Sequence, residues 1–147
     1  MNLRDVSSGV NVLIALFDPD HLYHEPAHRW FRSLDRDSWA TCPLTENGVA
    51  RILGNPNYPD SPGSPAKVLS FLAEFAKLTN HVFWPDDISL VTSDLIDRTA
   101  SFSYKQLSDI YLLALAKAHG GKLATFDRRI DTASVIEGTE TLYLIEI

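Results

Sequence analysis

Two aspartates near the end of this 147-residue chain have the types and positions that could do chemistry. Asp109 lies in the opening turn of an apolar helical stretch, QLSDIYLLALAKA, which is ended by Gly120 and Gly121. The segment KLATFDRRI predicts a short strand that ends at Asp127. A helix that leads directly into a parallel strand runs antiparallel to it, so the start of the helix and the end of the strand lie at one edge of the sheet. We therefore expect both carboxylates to face one crevice outside the carboxyl ends of the strands, where open α/β sheets bind their ligands.

A third acidic residue, Glu46, is predicted to reach the same edge. The segment SWATCP reads as a strand that runs into the helix LTENGVARIL, with Thr45 as a plausible cap and Glu46 in or beside the first turn. Three carboxylates in one crevice repel one another unless a cation lies between them. Oxygen ligands suit Mg²⁺ or Mn²⁺, and such an ion can activate a water for in-line displacement at phosphorus.

The elements that position these acids alternate between helical and strand patterns. The apolar segment VNVLIALF is followed by Asp18 to Asp20, which resemble a helix start leading into HLYHEPAHRWFRSL. The proline-rich stretch NPNYPDSPGSP predicts a loop before the helix AKVLSFLAEFAKL. The segment HVFWPDDISL predicts a short strand and turn, LIDRTASF is weakly helical, and TLYLIEI is a closing strand. The pattern favours an α/β fold.

Composition narrows the class of protein. Hydrophobic residues make up 45% and charged residues 22% of the chain, and its length predicts a single domain over residues 1–147. No apolar run is long enough to span a bilayer and the N-terminus lacks a signal-peptide pattern, so we expect a cytoplasmic protein. The lone Cys42 argues against a disulfide or a cysteine-based zinc site. A net charge of -6 argues against a broadly basic face, although a local cluster of Lys122, Arg128 and Arg129 could contact phosphate. Arg128 and Arg129 fit an ordinary solvated surface equally well.

A competing motif is His24-Glu25-Pro26-Ala27-His28, which matches the H-E-x-x-H spacing of zinc peptidases. Pro26 argues against it, because proline is compatible only with the first turn of a helix. His24 would then lie outside the regular helix. We interpret both histidines as solvent-facing residues beside a core face formed by Trp30 and Phe31.

The quoted motifs together resemble one known family. The segments NVLIALFDPDH, CPLTENG, QLSDIYLLALA and HGGKLATFDRRI are similar to those of PIN-domain ribonucleases of the VapC toxin type. The resemblance implies a three-layer α/β/α fold with a central, mostly parallel sheet. It further implies an endoribonuclease that depends on Mg²⁺ or Mn²⁺, acts on RNA, is held inactive by a VapB-like antitoxin and forms a homodimer. By resemblance Glu46, Asp109 and Asp127 are catalytic, and Asp5, Asp109 and Asp127 bind the metal.

The first acidic motif departs from the family pattern. Related chains open with Asp-Val-Asn-Val, whereas this chain reads Asp5-Val6-Ser7-Ser8-Gly9-Val10-Asn11-Val12. Either Gly9 replaces the aspartate, or Ser7 to Val10 form an inserted bulge and Asp5 is the displaced ligand. The two alignments lead to two hypotheses. One is an active metal-dependent endoribonuclease, and the other is a catalytically impaired PIN fold that binds protein or RNA.

Overall fold

Five parallel strands form the centre of the molecule. The computed structural model describes residues 5–35 and 37–147. In spatial order the strands are β3 (His81–Phe83), β2 (Ser38–Thr41), β1 (Asp5–Ser8), β4 (Lys122–Thr125) and β5 (Leu142–Leu144), and every neighbouring pair is parallel. The helices are α1 (Val10–Phe17), α2 (His24–Ser33), α3 (Pro43–Leu53), α4 (Pro65–Leu78), α5 (Leu107–Ala118) and α6 (Gly138–Thr141).

Two apolar clusters separate the sheet from its helices and produce the three layers. On one face, Val6 and Trp39 pack with apolar residues of α1 to α4. On the other face, Ala40 and Leu123 pack with α5 and with Trp84. The two sets alternate along the strands because successive side chains of a strand point to opposite faces. The predicted α/β/α fold with a parallel sheet is confirmed.

The connection from α5 to β4 carries the geometry on which the site depends. Helix α5 is buried on most sides, as its apolar sequence predicts, and its last turn is followed by Gly120 at φ 69°. That left-handed conformation is costly for residues other than glycine. The chain then enters β4 directly, so the start of α5 and the end of β4 lie at the carboxyl edge of the sheet.

Three local predictions are wrong. The segment LIDRTASF is irregular rather than helical, and Ile96 within it forms an isolated antiparallel bridge with Val135. Cys42, not Thr45, is the capping residue of α3; Thr45 takes part in the capping box from the third helical position, where its Oγ1 accepts the backbone N–H of Cys42 at 3.1 Å. Helix α2 begins at His24 rather than near Asp18, because a turn follows α1.

The H-E-x-x-H histidines belong to the packing of α1 against α2. His24 is the first residue of α2, so the expectation that it lies outside the helix is wrong, and Pro26 is accommodated in the first turn. His24 Nδ1 lies 2.8 Å from the carbonyl oxygen of Ala15, and His28 Nε2 lies 3.1 Å from that of Leu16. Both rings therefore satisfy carbonyls at the end of α1 instead of facing solvent. The arrangement gives no support to a zinc peptidase.

No helix in the described parts of the chain has the length and apolar character needed to cross a membrane.

Candidate active site at the carboxyl edge of the sheet

Asp109 and Asp127 line one pocket of about 230 Å³, which we call the carboxylate cleft. Asp109 comes from the first turn of α5, and Asp127 lies two residues beyond the end of β4. Gly9, the first turn of α1 and one face of α3 complete the walls. The structure thus brings together the two aspartates that the sequence places at this edge.

The pKa of the Asp109 carboxyl group lies above its ordinary value for two reasons. Partial burial raises the pKa of its carboxyl group, and the charge of Asp127 raises it further. Both causes disfavour the ionised form of Asp109. A cation placed between the two carboxylates would offset the repulsion from Asp127. The cleft therefore has the electrostatic character of a cation site.

Asp127 is held in place by its own loop. Its backbone N–H donates to Thr125 Oγ1 at 3.0 Å, which turns the chain as it leaves β4. Its Oδ1 accepts hydrogen bonds from the backbone N–H of Arg129 at 2.8 Å and from the Arg129 Nε at 3.1 Å. Burial alone would raise the pKa of Asp127, but the bonds and charge of Arg129 outweigh it and hold the pKa below its ordinary value. Asp127 is thus the more readily ionised member of the pair.

Glu46 lies in the first turn of α3 at the expected edge, but its side chain does not line the carboxylate cleft. Its Oε2 accepts a hydrogen bond from Thr41 Oγ1 at 2.6 Å, and Thr41 Oγ1 lies 2.7 Å from His81 Nε2. These three side chains line a separate pocket of about 150 Å³ against α4. Because the Thr41 hydroxyl has one proton and donates it to Glu46, His81 must donate to Thr41 from Nε2. The expected meeting of three acids at the cleft is therefore not observed.

The position of β1 in the sheet distinguishes between the two possible alignments of the first acidic motif. Asp5 is the first residue of β1 and pairs with Ser38, the first residue of β2, so it lies at the amino edge of the sheet. Three residues of strand, about 10 Å, separate it from the carboxyl edge. Ser7 and Ser8 continue the strand in register with β4, so the predicted bulge over Ser7 to Val10 is wrong.

Gly9 occupies the position at which the strand ends and α1 begins. It is the capping residue of α1, it lines the carboxylate cleft, and its backbone N–H donates to the carbonyl oxygen of Ala124 at 3.3 Å. A Cβ atom built on Gly9 would meet no atom within 4 Å. Its φ of -67° and ψ of 166° are open to any L-residue. The site therefore has room for a side chain that this sequence does not supply.

Arg51 is a residue of the cleft that the motifs did not reveal. It lies in the last turn of α3, is exposed, and lines the cleft together with Leu44, Gly48 and Ile52. These four positions follow the spacing of one helical face. Glu46 lies off that face. The helical period of α3 could therefore have indicated that Arg51 lines the cleft and that Glu46 does not.

The donor set fits a hard divalent ion held in part by water. No group of three or more histidine, cysteine or acidic side chains within the described ranges is close enough to enclose a metal. Magnesium, however, is commonly held by one or two carboxylates together with waters and substrate phosphate. Asp109 and Asp127 provide such a pair of oxygen donors.

Comparison with known proteins assigns most of the chain to one family. The PIN domain profile matches residues 10–135. Ribonuclease VapC44 of Mycobacterium tuberculosis is 43% identical over 131 residues, which are 89% of this chain and 92% of that protein. Ribonuclease VapC39 of the same organism is 42% identical over 126 residues, covering 85% of this chain and 91% of that protein. Ribonuclease VapC38 of the same organism is 37% identical over 123 residues, covering 84% of this chain and 85% of that protein.

Proposed function

Since the chain belongs to the PIN-domain family and to its VapC-type group, we propose that it is an endoribonuclease toxin that depends on a divalent metal. The observation that supports this most strongly is the pair of carboxylates, Asp109 and Asp127, in one cleft at the carboxyl edge of the sheet. Relatives that cover nearly the whole chain are named ribonucleases, and the cleft has the charge and size for the ion such a reaction uses.

Asp109 and Asp127 would hold the ion, Mg²⁺ or Mn²⁺. When bound, such an ion supplies an activated water and neutralises charge on the phosphate. The loop contacts from Thr125 and Arg129 keep Asp127 oriented toward the cleft. The catalytic role expected for Glu46 requires its carboxylate to leave Thr41 and turn round the start of α3. Asp5 starts β1 at the opposite edge, which argues against its predicted role as a ligand.

A second candidate function is a binding module with weak or no catalysis. Gly9 favours it, because the cleft has an open position at the end of β1 where a third carboxylate would fit. Loss of a ligand misplaces the attacking water, and even a displacement of about 1 Å can lower a rate by about 100-fold. The two candidates share the fold and differ only in the rate of RNA cleavage.

The deciding experiment measures cleavage of total RNA by the purified protein with Mn²⁺ or Mg²⁺ against EDTA. Asp109→Asn is the inactive control, and Gly9→Asp adds the missing carboxylate. We expect metal-dependent cleavage that Asp109→Asn abolishes and that Gly9→Asp increases by about tenfold or more. An increase cannot arise from misfolding. Gly9→Asn is the matched variant of similar size without the charge.

Each outcome separates the candidates. Cleavage by the natural chain that Asp109→Asn removes supports the nuclease. Cleavage that appears only after Gly9→Asp supports the binding module and identifies Gly9 as its cause. Absence of cleavage in folded natural and Gly9→Asp proteins alike would contradict the metal site itself.

The partners follow from the family and remain part of this proposal. We propose RNA as the substrate, a VapB-like antitoxin as the inhibitor, and a homodimer as the assembly, all in the cytoplasm. Helix α4 leaves Leu69 and Phe71 about half exposed, at 47% and 52%, which provides apolar surface for protein contacts. Sedimentation of the protein alone and after coexpression with its antitoxin tests both assemblies.

A further inference from the structure

We propose that His24 and His28 form a second metal site, which takes Zn²⁺ or a related late transition-metal ion at the junction of α1 and α2. The inference goes beyond the proposed function, because neither histidine lines the carboxylate cleft. Its support comes from the spacing of the two rings, from the protonation that their hydrogen bonds impose, and from the negative charge around them.

The two imidazoles are neighbours on the surface of α2. Residues four apart on a helix lie next to each other, and the H-E-x-x-H spacing uses this to present two histidines to one ion. The ring centroids of His24 and His28 are 4.3 Å apart. Zn²⁺ bonds imidazole nitrogens at about 2.0–2.1 Å, so one ion can bridge rings that lie this close. Both rings are half-buried and keep an exposed part, through which an ion can reach them from solvent.

The hydrogen bonds to α1 determine which nitrogen of each ring is free. A carbonyl oxygen only accepts, so His24 Nδ1 and His28 Nε2 must carry the protons in their bonds to the end of α1. The other nitrogen of each neutral ring then has a lone pair, and no hydrogen bond within the described ranges engages His24 Nε2 or His28 Nδ1. Histidines that bind metals commonly donate their second N–H to a backbone carbonyl in this way, which fixes the tautomer and raises the basicity of the free nitrogen.

The surroundings of the two rings are electrically negative. The last carbonyl groups of α1 have no partner within the helix and form the negative end of its dipole, where cations are stabilised. Asp20 adds a carboxylate. Its hydrogen bond with Asp60 and the charge of Asp60 raise the pKa of Asp20, whereas the charge of His24 acts against that rise. Asp20 therefore lies within electrostatic range of His24, and a cation bound there would be attracted in the same way.

The donor atoms select the kind of ion. Neutral imidazole nitrogens suit zinc, nickel and copper, whereas the carboxylates of the cleft suit Mg²⁺ or Mn²⁺. In the part of the chain that the structure describes, no third histidine, cysteine or acidic side chain joins the pair as a ligand, so water would fill the remaining positions. The ion would connect the end of α1 to the start of α2 and stabilise the folded state to which it binds.

Calorimetric titration of the full-length protein with Zn²⁺ tests the site. Excess Mg²⁺ competes for the carboxylate cleft, and a pH of about 7.5 keeps most histidines neutral. His24→Asn and His28→Gln each keep an amide N–H for the α1 carbonyl and remove the imidazole lone pair. His119→Gln is the matched control, because His119 is also half-buried and its ring contacts Asp87 and Trp84 instead.

We expect one Zn²⁺ per chain, bound at least about tenfold more weakly by His24→Asn and by His28→Gln, and equally well by His119→Gln. Zn²⁺ should also raise the urea midpoint of the natural chain and leave those of the two ligand variants unchanged.

The nitrogen resonances of the histidine side chains give a second measurement, which needs only the natural chain. Zn²⁺ should shift His24 Nε2 and His28 Nδ1 while the opposite nitrogens keep their protons. The proposal would be overturned by absence of Zn²⁺ binding, by displacement of Zn²⁺ with Mg²⁺, or by a loss in His119→Gln as large as in the ligand variants.

Discussion

Glu46 shows how a side chain's direction can depend on residues distant in sequence. Its position at the start of α3 follows from local pattern, and the structure has the helix where the sequence predicts it. Its direction depends on Thr41, which is wholly buried, and on His81, which lies 40 residues farther along the chain from Thr41. Local sequence carries no information about that hydrogen-bonded series. The number of acidic side chains that line the cleft could therefore not be predicted from their spacing in the sequence alone.

The orientation of Glu46 leads to a prediction for metal binding. Glu46→Gln should change the dissociation constant for Mn²⁺ by less than about twofold, because the carboxylate is bonded to Thr41 outside the cleft. Asp109→Asn should weaken Mn²⁺ binding by about tenfold or more, because it removes a ligand. Water-proton relaxation by Mn²⁺ measures both. A loss in Glu46→Gln as large as that in Asp109→Asn would show that Glu46 turns to the metal when it binds.

His81 should make stability depend on pH. Burial lowers the pKa of His81, and the charge of Glu46 only partly offsets this. The unfolded chain therefore binds the proton more tightly than the folded protein. The stabilising contribution is present above the ordinary histidine pKa of 6.5 and is lost as the pH falls below it.

Urea unfolding between pH 7 and pH 5.5 tests this expectation. The free energy of unfolding should fall with pH more steeply in the natural chain than in His81→Gln, whose amide can still donate to Thr41 without titrating. Parallel curves for the two proteins would show that His81 does not contribute.

At the scale of elements, the close contact of α1 with α3 shapes the cleft. Both helices contribute to its walls, and Gly48 lies at their crossing. A Cβ atom built on Gly48 would lie 2.7 Å from Val10 Cγ2 and 3.3 Å from Val10 Cγ1. The valine side chain is short and branched, so it has little freedom to move away.

Gly48→Ala should therefore destabilise the protein by about 1–3 kcal/mol, the usual cost of overpacking. Gly9→Ala is the control, since no atom lies near its added carbon and its backbone suits alanine. The double variant Gly48→Ala with Val10→Ala should recover part of the loss, because it removes the opposing methyl groups. Denaturant midpoints measure the stability of the natural chain, the two single variants and the double variant. Equal stability of Gly48→Ala and Gly9→Ala would show that the helices separate without cost.

The elements differ in how far their sequences predict them. Helix α5 and strand β4 could be predicted because apolar pattern, the glycine stop and strand composition all agree, and their sequence order sets the edge they share. The placement of the first acidic motif could not be predicted. Whether Asp5 or Gly9 lies at the carboxyl edge depends on the register of β1, and only its pairing with β2 and β4 determines that register. The segment LIDRTASF was predicted wrongly because its backbone bonds to residues near Val135 replace a helix.

At the scale of the whole molecule, one sheet joins two apolar clusters. Trp30 and Trp39 belong to the cluster on one face, and Trp84 belongs to the cluster on the other. Strand β2 contributes Trp39 to the first cluster and Ala40 to the second, so neither cluster can lose its packing without disturbing the same strand. The molecule should therefore unfold as one cooperative unit.

Trp84 provides a test of that cooperativity. Its ring is buried and stacks on His119 with centroids 4.9 Å apart, and this contact joins the irregular segment after β3 to the end of α5. Trp84→Ala should cost about 3–5 kcal/mol, as large cavities do in cores. Far-ultraviolet circular dichroism and the fluorescence of Trp30 and Trp39 should then show one transition at a single, lowered urea midpoint. Separate midpoints would show that the α5 layer unfolds on its own. Because Asp109 belongs to that layer, the carboxylate cleft would then be the first part of the molecule to unfold.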